Sequence, residues 1–275
     1  MPALSEIIEV LERSYPKHLA ESWDAVGLVC GDPAEEVTRV LFCVDPVEAT
    51  VAEAEERGAQ LIVAHHPLLL RGVHGVPADT AKGGLVHRLI RGGVALYCAH
   101  TNADSADPGV SDALAGAIGL TVRRPLDPHA PGSRTGLGRI GELPEPEPFD
   151  AFVRRVARAL PATVPGVLGA GDPDRPVRTV AVSGGAGDSH LARAAAAGVD
   201  AYVTADLRHH PAGEHLAATG TVPALVGLTH WASEWPWCGQ ASGVVGAAFA
   251  GNLDCHVSTR CTDPWTVRAS HQGAP

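Results

Sequence analysis

Apolar residues in the amino-terminal half recur with two different periods, and the switches between them mark out the elements. Leu4, Ile7, Ile8 and Leu11 stand at i, i+3, i+4 and i+7, the stripe of a first helix that stops before Pro16. The continuous run "RVLFCVD" over 39–45 reads as a buried strand, and "PVEATVAEAEERG" as a helix with Gly58 placed to end it. "AQLIVA" is a second strand, so the three make a βαβ unit. The helical "GGLVHRLIRGG" and the strand "VALYCA" follow, then a short helix over 109–118.

From Arg124 to Pro148 the pattern breaks. Pro125, Pro128, Pro131, Pro144, Pro146 and Pro148 interrupt it, and only "GLGRIGEL" is apolar, so this stretch reads as a connection into a second lobe. There "VRTVAVS", "GGAGDS", "HLARAAAAG" and "VDAYVTAD" repeat the earlier order of strand, loop, helix, glycine and strand, which suggests a duplicated α/β architecture. "TVPALVGL" is one more strand, and an Ala/Gly/Val-rich helix is expected to start near Pro236. The expected division is a first lobe over 1–124, completed by 222–275, and a second lobe over 125–221.

Three of these strands end in groups that can bind a ligand. His65 and His66 follow "LIVA", His100 and Asp104 follow "YCA", and His230 and Glu234 follow "VGL". The carboxyl ends of parallel strands are where open α/β sheets bind ligands, and Pro67 holds His66 extended at that rim. With 14 histidines in 275 residues an adjacent pair is expected by chance, and His209-His210 is a second one. Two readings of the histidines therefore stand: metal ligands, or surface and capping groups. The combination of three strand ends favours the metal. His65, His66, Asp104, His230 and Glu234 exceed the needs of one tetrahedral ion with an open position and suit two, with Glu234 as the bridging carboxylate. Nitrogen and oxygen donors without thiolate fit Zn²⁺, Fe²⁺, Mn²⁺, Co²⁺ or Ni²⁺. His100 could be a further ligand, an orienting group or a proton shuttle.

Other features stay open. A helix would put His230 and Glu234 on one face, but Pro236 pushes Trp235 out of the α region, so a turn leading into the helix is the alternative. Trp231, Trp235 and Trp237 read as packing around a pocket rather than a stacking platform for bases. "SGGAGDS" over 183–189 is a tight turn or an anion cradle. Asp206 and His210 either face the metals across a cleft or cap locally.

Composition removes several function classes. The net charge is −10 and no Lys/Arg-rich run occurs, which argues against a nucleic-acid partner. The six cysteines include no C-x-x-C pair and read as free buried thiols. "MPALSEIIEVLERSYPKHL" lacks a basic segment followed by an apolar one, and no apolar run approaches about 18 residues, so the expected location is the cytoplasm, without a membrane partner.

In order along the chain, "SWDAVGLVCGD", "VDP", "LIVAHHPLLLRG", "VALYCAHTNADSADPGVSDALA", "GLGRIGEL", "DAYVTADLRHH" and "LTHWASEW" resemble the Nif-three-like family of dinuclear metal-centre hexameric proteins, from Ser5 to Phe249. The resemblance implies two similar α/β lobes, each a mixed sheet flanked by helices, with a two-metal site in the cleft between them and a toroidal homohexamer. Its metal ligands fall on His65, His66, Asp104, His230 and Glu234, and His100 falls at the rim of the same site. Family members usually carry Gly where this chain has Thr229, and T-G-D where it has Thr204-Ala205-Asp206. Members are often labelled as homologues of a GTP cyclohydrolase of the second type. The expected function is a metal-dependent hydrolase in which water bridging two ions attacks a nucleotide-like or phosphorylated small molecule. The alternative is a non-enzymatic metal-binding hexamer that stores or delivers ions or serves protein interaction.

Overall fold

The computed structural model describes residues 1–269 and divides into two compact units, Met1–Val110 with Trp237–Thr262, and Ser111–Pro236 with the chain from Asp263. The first unit contains α1 (Leu4–Ser14), β1 (Gly27–Cys30), β2 (Arg39–Cys43), α2 (Glu48–Arg57), β3 (Leu61–Ala64), α3 (Ala81–Arg91), β4 (Ala95–Cys98) and α4 (Thr101–Ser105). It is closed by β11 (Asp254–Val257). The sheet order is β1-β4-β3-β2-β11, parallel throughout except for β1 at one edge. Strands β3 and β4 are buried along their whole length, as continuous apolar runs in a helix-covered parallel sheet should be. Val51 and Ala54 of α2 and Leu85, Val86 and Leu89 of α3 pack on Leu41, Ile62 and Leu96. Gly58 ends α2 in the left-handed conformation at φ +62°, as its position after the last periodic residue predicts.

Register decides where these strands stop. Cys43 of β2 pairs with Ala64 of β3, and Ala64 with Cys98 of β4, so all three end level. The backbone ladder runs a little further: His65 N–H donates to Cys43 O at 3.1 Å, His66 N–H to Val44 O at 2.8 Å and Ala99 N–H to Ala64 O at 3.0 Å. The residues that follow therefore share one rim.

The second unit repeats this plan. It contains α5 (Val110–Ala117), β5 (Thr121–Pro128), β6 (Gly136–Pro148), α6 (Phe149–Ala159), β7 (Leu168–Ala170), β8 (Pro176–Ala186), α7 (Leu191–Ala196), β9 (Ala201–Ala205), α8 (His209–Leu216), β10 (Ala224–Leu228) and the start of α9 (His230–Ala248). Its sheet order is β5-β6-β8-β9-β10-β7. Parallel β8, β9 and β10, joined through helices, match β2, β3 and β4, and antiparallel β7 borders β10 as β1 borders β4. The duplication suggested by the two sequence passages is thus present as topology. Ala186, Ala205 and Leu228 again end level.

One expectation changes. The proline-rich stretch 124–148 is not a bare connection but the antiparallel pair β5–β6. Pro125 lies on the edge strand, where its missing N–H breaks no central ladder, and Pro144 and Pro146 fall where the β6–β8 register shifts between Glu142 and Glu147. The seams between units lie after Val110, Pro236 and Thr262. Pairing accounts for what the second unit contains: β5 joins its sheet through β6, and β10 joins it through β9.

All six cysteines are free; Cys43, Cys98 and Cys238 are buried, while Cys261 is exposed. Among the described residues no helix is long and apolar enough to cross a membrane. Arg139 on β6 is almost fully buried, with Nε 2.8 Å from Asp112 Oδ2 of α5 and Nη1 donating to Gly136 O at 2.7 Å and Gly138 O at 2.8 Å. Removing one partner of such a pair leaves a charge in the interior. Asp112→Ala is expected to destabilise the protein by about 3 kcal/mol, read as a lowered urea midpoint at constant slope.

Candidate metal centre

The level ends of β2, β3 and β4 bring Asp45, His65, His66 and His100 to one rim of the first unit. The rings of His65, His66 and His100 have centroids 5.0, 5.3 and 5.5 Å apart. One ring nitrogen from each lies within 4.8 Å of the others.

Each ring is fixed through Nδ1. His65 Nδ1 lies 2.8 Å from Ala99 O, and a carbonyl only accepts, so Nδ1 carries the hydrogen and Nε2 the lone pair. His65 is fully buried, 5.2 Å from the Trp237 ring, and its Nε2 lies 3.7 Å from Asp104 Oδ1. His66 Nδ1 is 2.7 Å from Asp45 Oδ1, and Thr262 Oγ1 donates to the other oxygen of that carboxylate. His100 Nδ1 is 2.9 Å from Asp24 Oδ1, while Thr101 N–H, at 3.0 Å, and Thr101 Oγ1 bind Asp24 Oδ2. Burial alone would raise the Asp24 carboxyl, but Thr101 and His100 hold it below the usual carboxylate value. Burial, followed by the neighbouring His65, pulls His100 below the usual histidine value against the opposing effect of Asp24. His100 directly precedes α4, and Asp104 stands one turn further on.

The second unit carries the same device. His230 opens α9 and Glu234, almost fully buried, follows one turn later, with His230 Nε2 3.1 Å from Glu234 Oε1. His230 Nδ1 lies 2.7 Å from Asp206 Oδ2. The helical reading of this segment therefore holds over the turn: α9 starts at His230 and carries Pro236 inside it, despite the usual bias of the preceding residue. Trp231 and Trp235 pack against each other one turn apart, with ring centroids at 6.3 Å. Asp206 sits at φ +52°, a backbone state that Asp tolerates better than most residues. The strain falls on Asp206 and leaves Ala205 a regular, buried member of β9, so the extra methyl there costs the site nothing.

The loop over 183–189 turns the N–H groups of its glycines to acceptors within the protein. Gly184 N–H donates to Ser111 Oγ at 3.3 Å, Gly185 N–H to Ser233 Oγ at 2.9 Å and Gly187 N–H to Ala205 O at 3.3 Å, so these donors are engaged. The loop also makes room for donor atoms. A Cβ on Gly185, whose φ is +69°, would stand 2.5 Å from Glu234 Oε1 and 3.3 Å from His230 Nε2. His210 lies exposed on α8, edge-on to His209 with centroids 5.2 Å apart, and belongs to no metal-capable group among the described residues.

Of the sequence-predicted residues, His65, His66, His100 and Asp104 come together in the first unit, and His230 and Glu234 in the second. Asp24, Asp45 and Gly185 escaped sequence reasoning, and Asp206 was left open. A signal existed for Asp45, which ends "RVLFCVD" as the histidines end the next strand. The donor chemistry fits a divalent ion. In all four histidines an oxygen holds Nδ1, the arrangement that orients metal-binding imidazoles. The structural histidines His87 and His215 do the reverse, spending Nε2 on Val76 O and Pro223 O, each at 3.0 Å.

Residues 2–264 match the Duf34/NIF3 family, NGG1p interacting factor 3. The chain belongs to this family. Among NIF3 relatives, a Streptomyces coelicolor protein named GTP cyclohydrolase 1 type 2 homolog is 53% identical over the whole of both chains. A Mycobacterium tuberculosis protein of the same name is 42% identical, covering 96% of this chain and 97% of its own. The crystal structure of a Bacillus cereus protein related to NIF3 superposes with a TM-score of 0.84 at 26% identity, covering 97% of this chain and 99% of that one. A Staphylococcus aureus hypothetical protein gives 0.85 at 26% identity with the same coverage.

Two substitutions probe this geometry. Asp45→Ala frees the His66 ring and is expected to weaken metal binding about 10–100-fold in a competitive chelator titration, with the circular dichroism spectrum unchanged. Gly185→Ala adds backbone strain of about 1–3 kcal/mol and a methyl against Glu234. It is expected to lower the metal retained per chain on dialysis, whereas Gly116→Ala on α5, whose Cβ would meet nothing within 4 Å, leaves it unchanged.

Proposed function

We propose that this chain binds two divalent first-row ions through His65, His66, Asp104, His230 and Glu234, and uses them to hydrolyse a small nucleotide-like or phosphorylated substrate. The observation that carries the reading is the uniform anchoring of Nδ1 by an oxygen in His65, His66, His100 and His230, the way metal-binding imidazoles are oriented. Ions bound by these donors would supply local positive charge and water that ionises near neutral pH. Asp45 and Asp206 fix the rings of His66 and His230 and strengthen them as donors, and the buried Trp237 shields His65.

His100 is assigned proton transfer. Its Nδ1 hydrogen is committed to Asp24, its Nε2 accepts a proton, and Asp24 stabilises the imidazolium that results. Burial, followed by the neighbouring His65, lowers the ring's affinity for protons, which favours its neutral form. The relatives' shared name points to opening of a purine ring, so GTP belongs in the substrate panel. The family resemblance adds a toroidal hexamer, whose mass light scattering would read.

Elemental analysis of untagged protein is expected to give two ions per chain, falling in both His65→Ala and Glu234→Gln. Screened against nucleotides and phosphorylated metabolites, loaded protein is expected to release product only with metal. His100→Ala should slow turnover about 10²–10⁴-fold while keeping its metal. Bound, exchangeable metal with no product across the panel would favour the storage and delivery reading over the hydrolase.

A further inference from the structure

Beside His230 the second unit has a groove of about 730 Å³ that the ligand set leaves unused. Leu168 of β7, Leu207 and Leu228 give it apolar walls, and Trp265, 64% exposed, stands at its carboxyl-terminal side. Asp206 and His230 line it too, so it is continuous with the metal-binding end of α9.

Two residues lining this groove each carry a buried polar atom that makes no hydrogen bond among the described residues. These atoms are Thr229 Oγ1, on a residue only 8% exposed, and Asp263 Oδ2. Thr229 immediately precedes α9, where a threonine hydroxyl ordinarily caps the first turn, yet here it caps nothing. A buried polar atom left without a partner costs about 1–3 kcal/mol, so each is a place where a bound molecule regains free energy. The charge pattern narrows the class. Asp206 and Asp263 bring two carboxylates to the lining, which favours a molecule that donates N–H.

We infer that this groove binds a planar heteroaromatic ring carrying N–H donors, its faces against Leu168, Leu207 and Trp265, one donor on Asp263 Oδ2 and a polar edge on Thr229 Oγ1. The ring's far edge then reaches His230. The inference deepens the hydrolase reading and rests on it for what happens at that edge: the ring of the substrate is read here, and any phosphate is held elsewhere. Thr229 becomes a specificity residue, since its hydroxyl is the polar group offered to that edge.

Calorimetry on the full chain, metal-loaded and metal-depleted, tests this with 2-aminobenzimidazole, which has N–H donors, and 1-methylindole, which has the same size and none. The expected result is a preference of about tenfold or more for the first, the worth of one regained buried hydrogen bond. Asp263→Asn should abolish that preference and leave 1-methylindole unchanged. Thr229→Val should reduce the preference, and Trp265→Ala should weaken both rings, with the metal content of all three variants unaltered. No binding of either ring, or a preference that survives Asp263→Asn, overturns the inference. Because the metal-depleted protein is measured as well, ring binding without any metal-dependent turnover would uphold the groove while sinking the hydrolase.

Discussion

Backbone pairing in the parallel sheets is the constraint on which the rest depends. The hydrogen bonds that align Cys43, Ala64 and Cys98 leave no freedom in where each strand ends. A slip of one residue in β3 would exchange the faces of His65 and His66 and break the contacts from Nδ1 to Ala99 O and Asp45. The apolar side chains that bury β3 and β4 make such a slip costly, at about 1.5–3 kcal/mol for each large side chain turned to water. Positional accuracy at the rim is therefore set by the hydrophobic core beneath it. The second sheet uses the same logic, with Ala205 and Leu228 fixing the height of Asp206 and His230.

On that frame the electrostatics are arranged in two layers. Nitrogen and carboxylate donors face inward, and behind the imidazoles sit Asp24, Asp45, Asp206 and the Ala99 carbonyl. A carboxylate behind an imidazole selects the tautomer, restricts the ring and raises its basicity toward a cation. It also adds negative charge to a chain already at −10, which favours cations near the site and disfavours free anions. Held cations would reverse that local sign, and an acidic protein could then accept a phosphorylated substrate.

The sequence makes legible whatever is local and periodic. Strands such as "LIVA" and "VALYCA" are continuous apolar runs that switch abruptly to histidine, so strand ends and ligand candidates could be read together. The orienting carboxylates could not, because Asp24 lies 76 residues from His100 and Asp45 lies 21 from His66, and nothing local ties them. The β5–β6 pair was hidden by prolines that suggest a loop, and only the sheet shows them at an edge and at a register shift. The start of α9 was ambiguous because Pro236 opposes a helix that the tertiary environment nevertheless extends from His230.

Asp206 shows how strain and function meet in this chain. A residue at φ +52° gives up about 1–3 kcal/mol unless it is glycine, so glycine would be the less costly choice at this bend. Glycine would also remove the carboxylate that holds His230 Nδ1. The bend after Ala205 turns Asp206 out of the β9 alternation and toward the ring that opens α9. Gly185 solves the complementary problem: at φ +69° it gives up a side chain so that Glu234 and His230 can approach within 3.1 Å. One position accepts strain to keep a carboxylate, and the other gives up a Cβ to keep a space. Both positions serve the same local end, the close approach of an oriented His230 ring and Glu234 at the start of α9.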